Sequence, residues 1–157
     1  MTNTNQQIIE SFYTAFGKRD YTTMQSLYHG EAEFSDPVFQ NLNSSQVKAM
    51  WQMLLTSAKD INVVFSEVKA TDQAGSCRWD AYYTFTQTGR MVHNIVHAQF
   101  TFKDGKILTH HDHFNFWRWT RLALGFKGLL LGWTPLVQNK VRATAQGRLK
   151  KFMSGAQ

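Results

Sequence analysis

The stretch 103-KDGKILTHHD-112 combines a tight turn with alternating side chains, and it decides how the second half of the chain folds. Asp104 and Gly105 favour a turn, and the alternating polarity on both sides of them predicts a β-hairpin. A two-residue turn would set His97 opposite Asp112 and would mix polar with apolar residues on both faces. A three-residue loop, with Gly105 in the left-handed region, separates the two kinds of residue better, so we predict this second register.

The predicted register gives the sheet one apolar face and one polar face. The apolar face carries two acid/base side chains among hydrophobic ones: Val92, Val96, Ala98, Phe100, Phe102, Leu108, His110, Asp112, Phe114 and Phe116. The opposite face carries His93, His97, Gln99, Thr101, His111 and His113. We therefore expect His110 and Asp112 to point toward the protein interior.

Alternating polarity begins at residue 61 and predicts four strands. They are expected near residues 61–70, 76–87, 91–103 and 106–118. A further segment, residues 31–39, is predicted to be a strand or an extended turn because the residue before a proline favours extended geometry. Helices followed by a run of antiparallel strands indicate an α+β fold, with the helices on one face of a curved sheet.

Helical spacing and capping residues predict three helices before these strands. The first begins with a capping box at Thr4 and ends at Gly17. The second begins after Asp20 and stops at Gly30. The third begins at Asn43 and presents a continuous apolar face.

At 157 residues, 43% of them hydrophobic, the chain is long enough for one domain with its own core. The first residues lack the basic and apolar regions of a secretion signal, and the single cysteine, Cys77, suits a reducing compartment. We therefore expect a cytoplasmic protein. The net charge of +6 belongs to the tail, since residues 118–157 contain eight Lys/Arg and no acid, whereas residues 1–117 contain nine Lys/Arg and eleven Asp/Glu.

His110 and Asp112 together predict acid/base chemistry. An apolar wall disfavours the charged form of a carboxyl group, which suits such a group to proton transfer, and a neighbouring imidazole can relay the proton. The alternative is structural, because the two side chains could satisfy each other as a buried polar pair.

The histidines of the opposite face have two interpretations. His97, His111 and His113 could supply three nitrogen ligands to zinc. No carboxylate that would orient them is evident nearby in the sequence, so a polar or subunit-facing surface is the preferred interpretation. We therefore predict no metal site.

Two motifs in this order of elements resemble the nuclear transport factor 2-like superfamily, in particular its SnoaL-like and ketosteroid-isomerase-like members. The segment 34-FSDPVF-39 is similar to that family's aspartate-proline turn, and 105-GKILTHHD-112 is similar to the Gly-Lys-Ile-x-x-His-x-Asp ending of SnoaL-like proteins. The resemblance covers about residues 4–118. It implies a cone-shaped, cystatin-like fold, with three N-terminal helices on a strongly curved antiparallel sheet, a cavity between them and, usually, a homodimer.

The resemblance also implies roles for single residues. It places Asp36 in the position of the aspartate that serves as general base in ketosteroid isomerases. An aspartate before proline also commonly organises a turn. The tyrosine and the carboxylic acid that stabilise the dienolate in those enzymes correspond to Phe12 and Ala98. Neither of these can donate a hydrogen bond from its side chain, so the steroid-isomerase mechanism is not expected in that form.

We predict a protein that binds a small, mostly apolar carbonyl compound and moves a proton beside the carbonyl, as in isomerisation or cyclisation, without a cofactor. The expected catalytic residues are Asp112, His110 and Asp36. The expected cavity walls and polar anchors are Phe12, Phe16, Tyr28, Trp51, Trp79, Tyr83, Phe85, Asn94, Val96, Phe100, Phe114 and Phe116. The alternative is a non-catalytic binding or docking module that uses the same cavity and the basic tail.

The tail is predicted to form a second structural unit. We divide the chain into a cone domain, residues 1–118, and a basic amphipathic helical extension, residues 119–157, packed on the same domain. Thr134 and Pro135 predict a helix start. The extension either closes the mouth of the cone or packs on a partner subunit, and contact with an anionic membrane surface is the less favoured alternative. Nucleic acid is not expected, because no recognised binding motif accompanies the charge.

Overall fold

The computed structural model describes residues 3–155, which contain six helices and one five-stranded sheet. In chain order the elements are α1 (Thr4–Gly17), α2 (Tyr21–Ser26), β1 (Tyr28–Ser35), α3 (Ser44–Ser57), β2 (Asn62–Ala70), β3 (Ala74–Phe85), β4 (Arg90–Lys103), β5 (Lys106–His113), α4 (Phe116–Leu124), α5 (Phe126–Leu131) and α6 (Pro135–Gly155). None of the helices in residues 3–155 is both long and apolar enough to cross a membrane.

The helix starts follow their capping side chains. Asp20 caps α2, and the reciprocal capping box of Asn43 begins α3, as predicted. The predicted Thr4 cap of α1 is wrong, because the Asn3 side chain accepts the hydrogen bond from the Asn5 N–H at 2.8 Å and performs that role one residue earlier. The predicted end of the second helix at Gly30 is also wrong, because strand β1 already begins at Tyr28.

The strands lie in the order β1-β5-β4-β3-β2. Strand β1 runs parallel to β5, while the other neighbours are antiparallel, so the expectation of an entirely antiparallel sheet is wrong at this edge. Parallel neighbours need a crossover connection, and here it consists of α3 and the β2–β4 meander. Of the segment predicted as a strand or an extended turn, residues 31–39, the first part belongs to β1, which is an edge strand beside β5.

The β4–β5 hairpin has a two-residue turn, so the predicted three-residue loop is wrong. Asp104 and Gly105 both have positive φ, and the residues on either side of them are paired. A register shift between Thr101 and Phe102, opposite Leu108, then moves the pairing by one residue. Phe100 consequently lies opposite His110 and Ala98 opposite Asp112. The bulge restores the predicted separation of faces, although Ile107 is buried in place of Leu108.

Strand β5 ends at His113, so the predicted continuation to residue 118 is wrong. The Asn115 side chain accepts a hydrogen bond from the Arg118 N–H at 2.9 Å and starts helix α4. The aromatic residues after this cap follow helical rather than alternating spacing, with Trp119 and Ala123 buried on one side of α4. Residue 118, the predicted domain boundary, therefore lies inside a helix.

The core lies between the sheet and helices α1 and α3. Helix α6 begins at Pro135 as predicted and packs against α3. Its Leu149 is buried in the same core, and Arg142 Nε donates to the Pro37 carbonyl oxygen at 2.8 Å. Helix α6 thereby lies beside the aspartate-proline turn.

Helices α4 and α5 form a hairpin whose backbones touch. A Cβ atom at Gly128 would overlap the Thr120 backbone carbonyl, and a Cβ atom at Gly132 would overlap the Thr120 side chain. Only glycine permits this close approach. The contact fixes the position of α5 and, with it, the α5 side chains that point away from the protein.

Replacing Gly128 with alanine should lower the free energy of unfolding by about 1–3 kcal/mol, because the new methyl group must displace backbone. Gly147 provides the matched control, since a Cβ there meets nothing and the residue lies in α6. Gly147→Ala should be neutral or stabilising by up to about 1 kcal/mol. Urea unfolding followed by circular dichroism measures both, and equal effects of the two substitutions would contradict the α4–α5 contact.

Candidate active site

The imidazole of His110 lies at the centre of the apolar core. His110 is fully buried, and three phenylalanine rings lie around it. The centre of its ring is 5.5 Å from that of Phe12, 4.9 Å from that of Phe34 and 4.4 Å from that of Phe100. A buried imidazole needs hydrogen-bond partners, because an unpaired buried polar group costs about 1–3 kcal/mol.

Both nitrogens of His110 have such partners. Nδ1 lies 2.7 Å from the Tyr28 hydroxyl, and Nε2 lies 2.9 Å from Asp112 Oδ1. The Trp51 indole N–H donates to the Tyr28 oxygen at 2.9 Å, and the Trp79 indole N–H donates to the same Asp112 oxygen at 3.4 Å. Five side chains from α3 and three strands thus form one buried chain of hydrogen bonds.

The donors at one end of this chain fix the proton positions along it. Trp51 can only donate, so the Tyr28 oxygen accepts from it. Within residues 3–155 His110 Nδ1 is the one remaining partner of that hydroxyl, so we assign the Tyr28 proton to Nδ1. Nδ1 is then an acceptor, which leaves the imidazole proton on Nε2, donated to Asp112. His110 therefore presents Asp112 with an N–H donor of fixed direction.

A cavity of about 530 Å³ opens beside this chain. It lies between α1, α3, the concave face of the sheet and the C-terminal helices, and its walls are mostly apolar. Phe16, Trp51 and Trp79 contribute aromatic surface to it. The size suits a small organic ligand.

Asp112 contributes one oxygen to the hydrogen-bond chain and one to the cavity. Oδ1 accepts from His110 and Trp79, while Oδ2 has no partner in residues 3–155. The one fully buried side-chain polar atom without a partner in those residues is Tyr13 Oη, so Oδ2 retains accessible surface. Because Asp112 lines the cavity, Oδ2 is the oxygen open to a ligand.

Asp36 supplies a second carboxyl group to the same cavity. Its Oδ1 accepts hydrogen bonds from the backbone N–H groups of Val38 and Phe39, at 2.7 and 2.6 Å, so it also organises the turn before the third helix. Burial raises the pKa of Asp36 to about 7, and the charge of Asp112 adds to the rise, against the lowering effect of the two N–H donors. Near neutral pH Asp36 can therefore give or take a proton.

Two neutral polar groups complete the interior of the cavity. Tyr83 Oη accepts a hydrogen bond from the Trp119 indole N–H at 2.8 Å, and its own proton has no acceptor within residues 3–155. Burial raises the pKa of Tyr83, so its hydroxyl stays protonated. Asn94 lies on the same cavity wall. Both can donate a hydrogen bond to a ligand.

The predicted binding residues divide into two groups. Those that line the cavity are Phe16, Trp51, Trp79, Tyr83, Phe85, Asn94 and Phe114, together with Asp36 and Asp112. Those that lie behind its wall or beside it are Phe12, Tyr28, Val96, Phe100, Phe116 and His110. The first group can contact a ligand directly, and Tyr28 and His110 can act only through Asp112.

Sequence reasoning did not assign cavity residues in the C-terminal helices. Helices α5 and α6 contribute Lys127, Leu131, Lys140, Thr144 and Arg148 to the lining. The sequence offered one indication of their role: this part of the chain has no acidic residue, so these cations have no carboxylate nearby in the sequence to pair with.

The histidines of the outer face of the sheet lie outside this cavity. His97 pairs with His113 across β4 and β5, and His93 is hydrogen-bonded to Asp80 at 2.8 Å. Within residues 3–155, no three histidine, cysteine or acidic side chains are grouped so that they could hold a metal ion. On the buried face, burial raises the pKa of the Cys77 thiol to about 12, which does not suit a nucleophile.

The chain belongs to the SnoaL-like family, whose domain model matches residues 9–110. Among solved structures, the chain is similar to a nuclear transport factor 2-like protein of unknown function from Burkholderia pseudomallei K96243, with 15% identity, a TM-score of 0.67 and coverage of 77% of this chain and 98% of that one. The predicted superfamily and the cone-shaped α+β fold are confirmed. No curated protein matches the sequence.

Two other similar structures carry functional names. IdmH from Streptomyces antibioticus, a candidate polyketide cyclase, shares 18% identity, with a TM-score of 0.60 and coverage of 69% of this chain and 90% of that one. A candidate polyketide cyclase from Xanthomonas campestris pv. campestris shares 14% identity, with a TM-score of 0.64 and coverage of 77% and 98%. At these identities the likeness establishes the fold alone.

The raised pKa of Asp36 predicts a pH-dependent stability. Between pH 4, near the value for an unfolded chain, and pH 7, the folded protein holds a proton that the unfolded chain releases. The contribution of this carboxyl group to the free energy of unfolding is therefore fully present below pH 4 and is lost as the pH rises through 7. Asp36→Asn removes the loss, so the variant should gain stability relative to the wild type over this range, by at most about 1.4 kcal/mol per pH unit.

Asp20 is the control for this experiment. Hydrogen bonds from Thr23 lower the pKa of Asp20, so its contribution is present above the usual value and is lost as the pH falls. Asp20→Asn keeps a capping side chain, and because Asp20 titrates at or below pH 4 in both states, its stability difference from the wild type should hardly change between pH 4 and 8. Urea unfolding between pH 4 and 8 measures both variants, and a stability difference between Asp36→Asn and the wild type that does not change with pH would contradict the raised pKa.

Proposed function

We propose that this SnoaL-like protein binds a small, mostly apolar carbonyl compound and transfers a proton next to the carbonyl group without a cofactor. The observation that carries the proposal is the position of Asp112, which has one oxygen held by His110 and Trp79 and the other open to the cavity. A carboxylate held in this way can act as a base of defined direction inside an apolar site.

The proposed reaction begins when Asp112 Oδ2 takes a proton from the carbon beside the carbonyl group. The electron pair of the broken C–H bond forms an enolate, whose charge develops on the carbonyl oxygen. A hydrogen bond from Tyr83, or from Asp36 in its protonated form, would stabilise that oxygen. Return of the proton from Asp112 to a different carbon gives isomerisation. Attack of the enolate on a second carbonyl carbon forms a C–C bond and closes a ring, and the alkoxide formed there takes the proton back from Asp112.

Two donors could therefore replace those missing from the ketosteroid-isomerase pattern. The corresponding positions, Phe12 and Ala98, are buried and apolar. Tyr83 and Asp36 lie on the cavity wall instead, and both can present a proton. The candidate polyketide cyclases among the similar structures are in keeping with chemistry beside a carbonyl group.

A homodimer that uses the outer face of the sheet is also proposed. His97 and His113 are exposed there and lie opposite each other on adjacent strands. Positive charge on histidines at a subunit interface would favour dissociation in acid. Sedimentation velocity between pH 5.5 and 8 tests this, and one species throughout that range would count against the histidine face as the interface.

The function is tested first by binding. A thermal-shift screen with apolar ketones, sterols, polyketide-like aromatics and short fatty acids should find a class that stabilises the wild type, since a ligand at a hundred times its dissociation constant adds about 2.7 kcal/mol. Absence of any shift from all four classes would contradict a small-molecule cavity protein.

Proton transfer is tested next on the compounds that bind. In deuterated buffer the wild type should exchange the proton beside the ligand's carbonyl group, as followed by NMR, and Asp112→Asn should lose at least a hundredfold of this rate. Asp104→Asn is the matched control, because the residue lies in the exposed β4–β5 turn, and its rate should be unchanged. Exchange by Asp112→Asn at the wild-type rate would exclude the catalytic role. Binding without exchange by the wild type would establish the non-catalytic alternative.

A further inference from the structure

An exposed apolar patch surrounds helix α5, and no part of the proposed reaction uses it. We define the α5 patch as Phe126, Leu129, Leu130, Leu131, Trp133 and Leu136, whose exposed fractions run from 44% to 79%. These six are more than half of the large hydrophobic residues exposed within residues 3–155. A concentration of this kind marks a surface that is covered by something else.

The α5 patch is held outward by rigid packing. Gly128 and Gly132 press α5 onto Thr120 of α4, and neither position has room for a side chain. The hairpin therefore cannot rotate to bury the leucines without losing this contact. Their exposure follows from the packing of the hairpin.

The polar groups around the α5 patch are already paired within the protein. The Trp133 indole N–H donates to the Leu130 carbonyl oxygen at 3.0 Å, and the Trp117 indole N–H donates to the Leu129 carbonyl oxygen at 3.2 Å. The Thr134 hydroxyl donates to another α5 carbonyl oxygen at 2.6 Å. Because these donors are already hydrogen-bonded within the protein, the surface can be buried against another apolar surface without leaving them unpaired.

The C-terminal helices, which include the α5 patch, carry charge of one sign. Residues 118–157 contain eight Lys/Arg and no acid, and none of those cations within residues 118–155 forms a salt bridge to a described residue. The Arg121 guanidinium lies 4.7 Å from the centre of the Trp117 ring, at the side of the hairpin. Apolar and aromatic side chains with cations beside them, Lys127 in α5 and Arg121 in α4, are complementary to an anionic lipid surface, where each Lys/Arg near the surface contributes about 1 kcal/mol.

The cavity opens beside this surface. Lys127 and Leu131 of α5 and Lys140 of α6 line the cavity and are exposed to solvent, so part of its rim lies at α5. Other exposed residues of the lining are Ser57, Thr86, Gln87, Thr144 and Arg148. An apolar compound could pass from a bilayer into the cavity without crossing water. This continuity favours a lipid surface over an acidic protein, which would match the charge but would have no use for an adjacent apolar opening.

We propose that the α5 patch docks on anionic lipid bilayers and places the opening of the cavity against the membrane. The docking itself is independent of the proposed reaction, whereas the delivery of an apolar ligand from the bilayer rests on the proposed function. The protein would bind at the surface only, through a short helix and its flanking turns.

Co-sedimentation with vesicles tests the docking. At low salt the wild type should bind vesicles of phosphatidylglycerol and phosphatidylcholine at least tenfold more tightly than vesicles of phosphatidylcholine alone. Salt near 1 M, where the Debye length is about 3 Å, should weaken the binding. No binding to the anionic vesicles at low salt, or equal binding to both kinds, would overturn the proposal.

Variants locate the docking surface. Leu130→Gln combined with Leu136→Gln should weaken vesicle binding at least tenfold, because both side chains are more than half exposed and would lose their contact with lipid. Met91→Gln is the matched control, since Met91 is 70% exposed on β4, outside the patch, and it should bind as the wild type does. Undiminished binding of the double variant would overturn the assignment to the α5 patch.

Two further measurements separate the remaining outcomes. If a second copy of this chain covers the patch, sedimentation velocity without lipid will show a dimer that dissociates in the double variant, and this would overturn the lipid assignment. Neither Leu130 nor Leu136 lines the cavity, so the double variant should keep the thermal shift produced by a cavity ligand. Loss of docking and loss of ligand binding are therefore distinguishable.

Discussion

The arrangement of the site depends on one buried imidazole with two occupied nitrogens. His110 joins Tyr28 on β1 to Asp112 on β5, and through them it reaches Trp51 on α3 and Trp79 on β3. Loss of His110 would leave the Tyr28 hydroxyl without an acceptor, and loss of Asp112 would leave the His110 Nε2–H without one, at a cost of about 1–3 kcal/mol in either case. The same hydrogen bonds that hold the sheet edge against the helix layer therefore also fix the direction of the Asp112 carboxyl group.

Two carboxyl groups share the cavity in different surroundings. Asp112 accepts two N–H donors on one oxygen from side chains of the core, whereas Asp36 belongs to a turn and accepts two backbone N–H donors. Burial and the neighbouring charge raise the pKa of Asp36 to about 7. The two carboxyl groups therefore differ in their hydrogen-bond partners, and the proposed reaction uses this difference to assign one as the base and the other as a donor. The apolar walls of the cavity lower the local dielectric constant, which strengthens both the effect of burial on Asp36 and its repulsion by Asp112.

Much of the fold could be predicted from the sequence, because alternating polarity and helical spacing are local properties. The burial of His110 and Asp112 was predicted from the faces of the hairpin even though the turn type was wrong, since a bulge at Leu108 shifts the pairing by one residue and restores the same faces. The first residues of α4, 116–118, were predicted as strand because a run of aromatic residues is typical of strands, and the Asn115 side chain that caps the helix is a single residue.

The site was predictable only in part, because its contacts join distant parts of the chain. Tyr28 and His110 meet because β1 is parallel to β5, and no spacing in the sequence encodes that pairing. The same holds for Lys127 and Arg148, which reach the cavity through the packing of α5 and α6. The sequence indicates which residues of the sheet face the cavity. Which residues of the C-terminal helices line it depends on how those helices pack, and the sequence does not show that packing.

The position of the proton on His110 tests most directly whether this imidazole fixes the direction of the Asp112 carboxyl group. Long-range ¹⁵N–¹H NMR of histidine-labelled protein, with His110→Gln to assign the signal, reports both ring nitrogens. We expect a protonated Nε2 and an unprotonated Nδ1, because Tyr28 donates to Nδ1 and Asp112 accepts from Nε2. A proton on Nδ1 would contradict the order of donors along the chain, and with it the direction in which His110 holds Asp112.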